Sequence, residues 1–107
     1  MNTFYSALND PLRRLLLAML QTAGELCVCE LVTGVHESQP KVSRHLSVLR
    51  DAGVVRVRRE GLWMHYAISD DLPAWQVDTI AALCVGGVPE ADVRAALSRK
   101  QKALCPP

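Results

Sequence analysis

Apolar positions recur at helical spacing along most of the chain. Leu12, Leu15, Leu16 and Met19 form the first such stripe, directly after Asp10-Pro11. Asp10 suits the capping position of a helix, and Pro11 suits its first turn, where a missing N–H costs nothing. Phe4, Tyr5 and Leu8 suggest a short helix before it. Gly24 interrupts the pattern. Glu25 to Thr33 then reads as a short helix ended by Gly34. Ser38 is a good cap for the next helix, Pro40 lies in its first turn, and Val42, Leu46 and Leu49 make one buried stripe. Gly53 terminates it. Apolar and polar residues then alternate from Val54 to Arg59 and from Leu62 to Ser69, which predicts two strands joined by a tight turn at Glu60-Gly61. Leu72 to Val85 returns to helical spacing, with Val77, Ile80, Ala81 and Cys84 on one face. Gly86-Gly87 breaks it, and a last helix from Pro89 to Leu104 carries Val93, Ala96 and Leu97.

Two short helices joined by a turn and followed by a two-stranded hairpin predict a winged helix-turn-helix, mainly α with a small β-hairpin. The helices from Glu25 and from Ser38 are the pair, and the hairpin is the wing. With 107 residues, half of them hydrophobic, the chain is expected to form one domain with one modest core, and residues 86–107, from the Gly86-Gly87 break onward, to be an extension of it. That size excludes a large multi-domain enzyme. The longest apolar run, Leu15 to Leu20, is too short to cross a bilayer. No secretory signal is evident at Met1, so a cytoplasmic protein with its four cysteines as thiols is expected.

Charge sharpens the picture. The formal net charge is only +1, yet the stretch from Lys41 to Glu60 carries six basic and two acidic residues. A basic block on a near-neutral protein is the footprint expected of a nucleic-acid face. With Val42, Leu46 and Leu49 packed inward, the second helix presents Pro40, Lys41, Arg44, Ser47 and Val48, flanked by Gln39 and Ser43. Gln pairs with adenine, Arg and Lys with guanine, and Ser with bases or phosphate. His45 flanks the apolar stripe and suits packing and a DNA contact equally. Arg56, Arg58 and Arg59 lead into the wing tip, where phosphate contacts are expected.

Glu25-Leu26-Cys27-Val28-Cys29-Glu30-Leu31 adds different chemistry. A helix N-terminus favours the thiolate, and thiolates are soft ligands that select soft ions. On a regular helix, residues i and i+2 point about 200° apart. Cys27 and Cys29 are then expected to chelate one ion only if that turn unwinds, which sets ion against DNA by linkage. The bland alternative is two ordinary thiols. Cys84 reads as a core or interface residue, Cys105 as part of a tail, His36 as a turn residue and His65 as a strand residue.

These residues resemble a known family. The cysteine stretch is similar to the arsenic-binding box of the ArsR/SmtB family of winged-helix metalloregulators, E-L-C-V-C-D-L, with Glu30 in place of Asp. Ser38 to Leu46, continuing through Leu49 to Ala52-Gly53, resembles the family's reading helix. Arg59 to Tyr66 resembles its wing, and Asp10-Pro11-Leu12-Arg13 its N-terminal pattern. The resemblance covers about Ser6 to Leu83. It implies a homodimeric, non-enzymatic repressor of an arsenic-resistance operon, bound to double-stranded operator DNA and released when As(III) or Sb(III) binds Cys27 and Cys29. The implied dimer face is Phe4 to Leu8 with Leu72 to Val85. No catalytic cofactor and no membrane partner are implied. DNA contacts are expected from Gln39, Lys41, Ser43, Arg44, His45, Ser47, Arg58 and Arg59. Where some relatives have a third cysteine this chain has Val32, so the third ligand is left to Cys84, Cys105, an external thiol or nothing. Asp78 lies in the helix after the wing with no histidine beside it, which argues against a zinc site there. The competing functional reading is a zinc- or redox-responsive winged-helix regulator.

Overall fold

A computed structural model describes residues 3–103. The elements run α1 (Thr3–Leu8), α2 (Pro11–Ala23), β1 (Glu25–Cys27), α3 (Val28–Val35), α4 (Gln39–Asp51), β2 (Val55–Glu60), β3 (Trp63–Ile68), α5 (Ala74–Gly86) and α6 (Glu90–Lys100). This is the winged helix-turn-helix that the sequence predicts, with α3 and α4 as the pair and β2–β3 as the wing.

Local chemistry explains most boundaries. The Asp10 carboxylate accepts from the Leu12 and Arg13 N–H groups at 2.8 and 3.2 Å, which satisfies two free donors of α2. Ser38 Oγ accepts from the Lys41 N–H at 3.4 Å and starts α4. The two-residue turn of the wing is Gly61-Leu62, one place later than expected, because Glu60 still pairs with Trp63. Gly61 has φ 61° and supplies the left-handed conformation the turn needs.

The core is built on α2. Leu16, Leu17, Met19 and Leu20 meet Leu31 of α3, Val42, Leu46 and Leu49 of α4, Val54, and Ile80 of α5, all essentially shielded from water. Val42, Leu46 and Leu49 are the stripe that fixes which face of α4 looks outward.

Three expectations are corrected. Glu25 to Cys27 is not the start of a helix. It is a third strand, giving the antiparallel sheet order β1-β3-β2, with Glu25 opposite Ala67, Leu26 opposite Tyr66 and Cys27 opposite His65. Gly24, at φ 90°, turns the chain off α2 so that Leu26 is buried against the free edge of β3. Gly34 does not end α3. The helix runs on to Val35 and is closed by His36 in the left-handed region, at φ 58°. Gly34 is small because α6 packs there. A Cβ on Gly34 would lie 2.9 Å from the Ala96 carbonyl oxygen and closer still to Met19 Cε. Arg99 Nε donates to the Gly34 carbonyl at 2.8 Å, so α6 is bonded directly to α3. Finally, α6 stops at Lys100 rather than Leu104, which lies outside the described residues.

Parts of α1 and α5 are apolar and exposed. Tyr5, Trp75, Val77 and Val85 are exposed on α1 and α5, and the Trp75 ring packs edge-on to Phe4 at 5.3 Å.

Candidate DNA-binding face and thiol site

The outward face of α4 carries Gln39, Pro40, Arg44 and Val48 exposed, with Lys41, Ser43 and Ser47 half-buried at its margins. Gln39 and Lys41 lie in the first turn, where the free N–H groups of the helix favour an anion. Lys41 Nζ is 3.3 Å from the Glu37 carboxylate, an exposed ion pair that screens readily.

His45 is turned away from that face. Its Nδ1 lies 3.0 Å from Arg13 Nη1 and 3.9 Å from Asp10 Oδ1. A guanidinium only donates, so Nδ1 accepts and the ring proton resides on Nε2. Burial lowers the His45 pKa below the ordinary histidine value. Asp10 opposes that shift, while Arg13, Arg44 and Lys41 reinforce it. Burial alone would raise the Asp10 carboxyl, but the Arg13 and Leu12 N–H groups and the Arg13 charge hold it below its ordinary value. Arg13 also donates to the Ala7 carbonyl at 2.6 Å and the Ser6 carbonyl at 3.4 Å. One side chain thereby joins α1, α2 and α4. Of the two roles open to His45 in the sequence, its surroundings are those of packing.

The wing carries its arginines on strand β2. Arg56 is exposed, and Arg59 Nε donates to the Gly61 carbonyl at 3.2 Å. Arg58 is engaged elsewhere. Its Nη2 and Nε donate to the Glu25 carboxylate at 2.7 and 3.3 Å, and its Nη1 to Glu60 at 3.0 Å. The hydrogen bond from Arg58 lowers the Glu25 pKa, and the two carboxylates raise that of Arg58.

The thiol stretch differs most from expectation. The Cys27 and Cys29 sulfurs do not face apart. They are in direct contact, paired as a disulfide, with Cα atoms 5.5 Å apart. The reason is the strand β1. Cys27 precedes the helix in an extended conformation, φ −78° and ψ 160°, so helical spacing never applied to it. The expectation that all four cysteines are thiols is corrected for this pair. The expectation that capture must unwind a helical turn is lost with it. Cys27 is buried and Cys29 is half-buried.

Glu30 organises this corner. Its Oε1 accepts from the Cys27 N–H at 3.0 Å, and its Oε2 lies 3.8 Å from Lys100 Nζ on α6. Cys27 and Glu30 stand in the spacing of a helix cap and its third residue, a signal in the sequence that places the helix start after Cys27. Cys84 is a free thiol in α5, pushed up to about 11 by burial. Among the described residues, no group of three or more His, Cys, Asp and Glu side chains is placed to hold a metal ion, so neither Cys84 nor a histidine completes such a set with the pair. His36 is exposed at the end of α3, and His65 Nε2 is 3.7 Å from Glu60. Cys105 lies outside the described residues.

The chain is similar to known proteins. Residues 10–57, from the cap of α2 to the middle of β2, match the profile described as bacterial regulatory protein, arsR family. The arsenical resistance operon repressor of Escherichia coli is 43% identical over 76 residues, covering 71% of this chain and 65% of that protein. The chain thus spans just under two thirds of that relative's length. MJ1325 of Methanocaldococcus jannaschii, an HTH-type transcriptional regulator, is 40% identical over 67 residues, covering 63% of this chain and 75% of the other. Among solved structures, HlyU from Vibrio cholerae superposes with a TM-score of 0.67 at 31% identity, covering 76% of this chain and 84% of HlyU. The AntR antimony-specific transcriptional repressor superposes at 0.63 with 29% identity, covering 77% of this chain and 72% of AntR.

Proposed function

Since the chain belongs to the arsR family of bacterial regulatory proteins, we propose that it is an operator-binding transcriptional repressor released by As(III) or Sb(III). The family and the relatives named above are transcriptional regulators, not enzymes. The observation that carries the reading is the convergence of Cys27 and Cys29 at the start of α3, the helix that leads into α4. Once reduced, two adjacent sulfurs suit a soft, thiophilic ion as two of its ligands. An arsenical repressor and an antimony-specific repressor among the similar proteins support the choice of metalloid. The third ligand is Cys105, an external thiol or nothing.

In this reading α4 lies in the major groove. Gln39, Lys41, Ser43, Arg44 and Ser47 face bases or phosphate, with Arg59 on the backbone beside the wing and Arg58 able to join it when its carboxylate partners release it. His45 contributes by holding α4 to α2 rather than by a base contact. The open apolar face of α1 and α5 takes a second copy of the chain, which gives a homodimer and two reading helices. The described residues, 3–103, act as one winged-helix domain, since α6 is bonded to α3.

A gel-shift titration tests this. Reduced protein on a duplex from the region upstream of its own gene is expected to bind, and arsenite or antimonite is expected to release it at concentrations where Zn²⁺ and Cd²⁺ do not. Contact between the two sulfurs favours a second reading, a redox-responsive regulator. Release by oxidant with no response to arsenite would select it. Arg44, exposed at the centre of the α4 face, carries a separate expectation. Arg44→Ala weakens specific binding by about 1–3 kcal/mol, the range for a lost bidentate base contact. Unchanged operator affinity at fixed salt removes Arg44 from the interface.

A further inference from the structure

The wing holds a basic residue that is not available as it stands. In the sheet, β3 lies between β1 and β2, so Cys27, His65 and Arg58 form one row across it and Glu25, Ala67 and Arg56 the next row on the same face, two residues along. Arg58 reaches diagonally over β3 to Glu25, and the small Ala67 leaves the way open. The contact is two-point, Nη2 to Oε1 and Nε to Oε2, and Glu60 takes Nη1. A planar fork on a carboxylate is the same geometry an arginine uses on a phosphate. The two partners therefore compete for the same donors. By contrast, Arg56 on the same strand is exposed and acts on Glu25 through its charge alone.

We propose that Glu25 masks Arg58, so that the wing makes one phosphate contact fewer while β1 stays in place. Glu25 is a positioning residue here. It acts on DNA only through the arginine it holds. It also lies two residues before Cys27 on the same three-residue strand, which places the mask on the element that carries the thiol site. The inference rests on the DNA-binding reading above and takes nothing from the metalloid reading.

Backbone contacts are counted by salt. Each phosphate neutralised adds about 0.9 to the slope of log affinity against log salt. The test measures the affinity of the full chain for a short mixed-sequence duplex, by fluorescence anisotropy over a range of NaCl concentrations. Wild type, Glu25→Gln, Arg58→Gln and the double variant are compared, with melting curves confirming that each is folded. Glu25→Gln is expected to steepen the slope by up to about 0.9 and to tighten binding at low salt. In the Arg58→Gln background, Glu25→Gln is expected to change nothing. An unchanged slope in Glu25→Gln overturns the mask. So does a gain that persists without Arg58, which would be a general effect of removing negative charge. If the wild type binds no duplex at any salt, the DNA-binding reading falls and the mask falls with it.

Discussion

Serine in place of either Cys27 or Cys29 is expected to leave the repressor on its operator at arsenite concentrations that release the wild type. Serine differs from cysteine by one atom, but its hydroxyl is a hard, neutral donor where a soft thiolate is needed. The wild-type response is expected to be about 5- to 150-fold in operator affinity, the usual span of a coupling free energy between two sites. Either variant should lose all of it. Affinity without arsenite should hold, for a structural reason. Cys27 occupies the cap of α3 in an extended conformation, and serine is among the best residues for that place. Cys29 is half-buried, so exchange of sulfur for oxygen leaves no sealed polar group behind. A gel-shift titration on reduced protein measures both halves. Normal release from both variants would remove the pair from the mechanism.

A methyl group on Gly34 is expected to destabilise the fold. In an open helix Gly→Ala stabilises by about 1 kcal/mol, because alanine is the better helix former. Here the added carbon meets Met19 Cε and stands 2.9 Å from the Ala96 carbonyl oxygen. The methionine end can swing aside, but the backbone of α6 can move only as a unit. Lifting α6 stretches the Arg99 bond to the Gly34 carbonyl and the Lys100 approach to Glu30. Overpacking of this kind costs about 1–3 kcal/mol, which outweighs the propensity gain. The expected result for Gly34→Ala is a lower urea midpoint at unchanged m, and for Gly34→Val a larger drop in the same direction. A midpoint equal to or above the wild type would show that α6 does not press on α3 in solution.

Elements governed by near neighbours were legible in the chain. Asp10-Pro11 and Ser38 mark two helix starts by the groups they cap. Val42, Leu46 and Leu49 mark the buried side of α4, and alternation over residues 54–69 marks the hairpin. What stayed hidden depends on partners far away in sequence. The strand β1 has three residues, too few for a period, and it exists because β3 offers it an edge some forty residues later. Gly34 looks like a stop signal locally and is a contact point globally. Arg58 shows its charge in sequence but not its partner, which is 33 residues away. The spacing of Cys27 and Cys29 marks the pair, but helical spacing gives the wrong geometry for it. Spacing gives a direction only after the element is known, and the cap at Cys27 with Glu30 three places on was the available clue.

Arg13 has a consequence for the DNA itself. Because it holds the end of α1 with one part of its guanidinium and His45 of α4 with another, the helix proposed to meet a second copy and the helix proposed to meet the groove are tied through one side chain. In a pair joined through α1 and α5, the gap between the two recognition elements is then a fixed length, built into each subunit. Such a pair measures DNA like a rigid calliper. Inserting half a turn of duplex between the two halves of its target puts the second half on the far side of the helix, and is expected to cost such a pair most of its affinity in a gel shift.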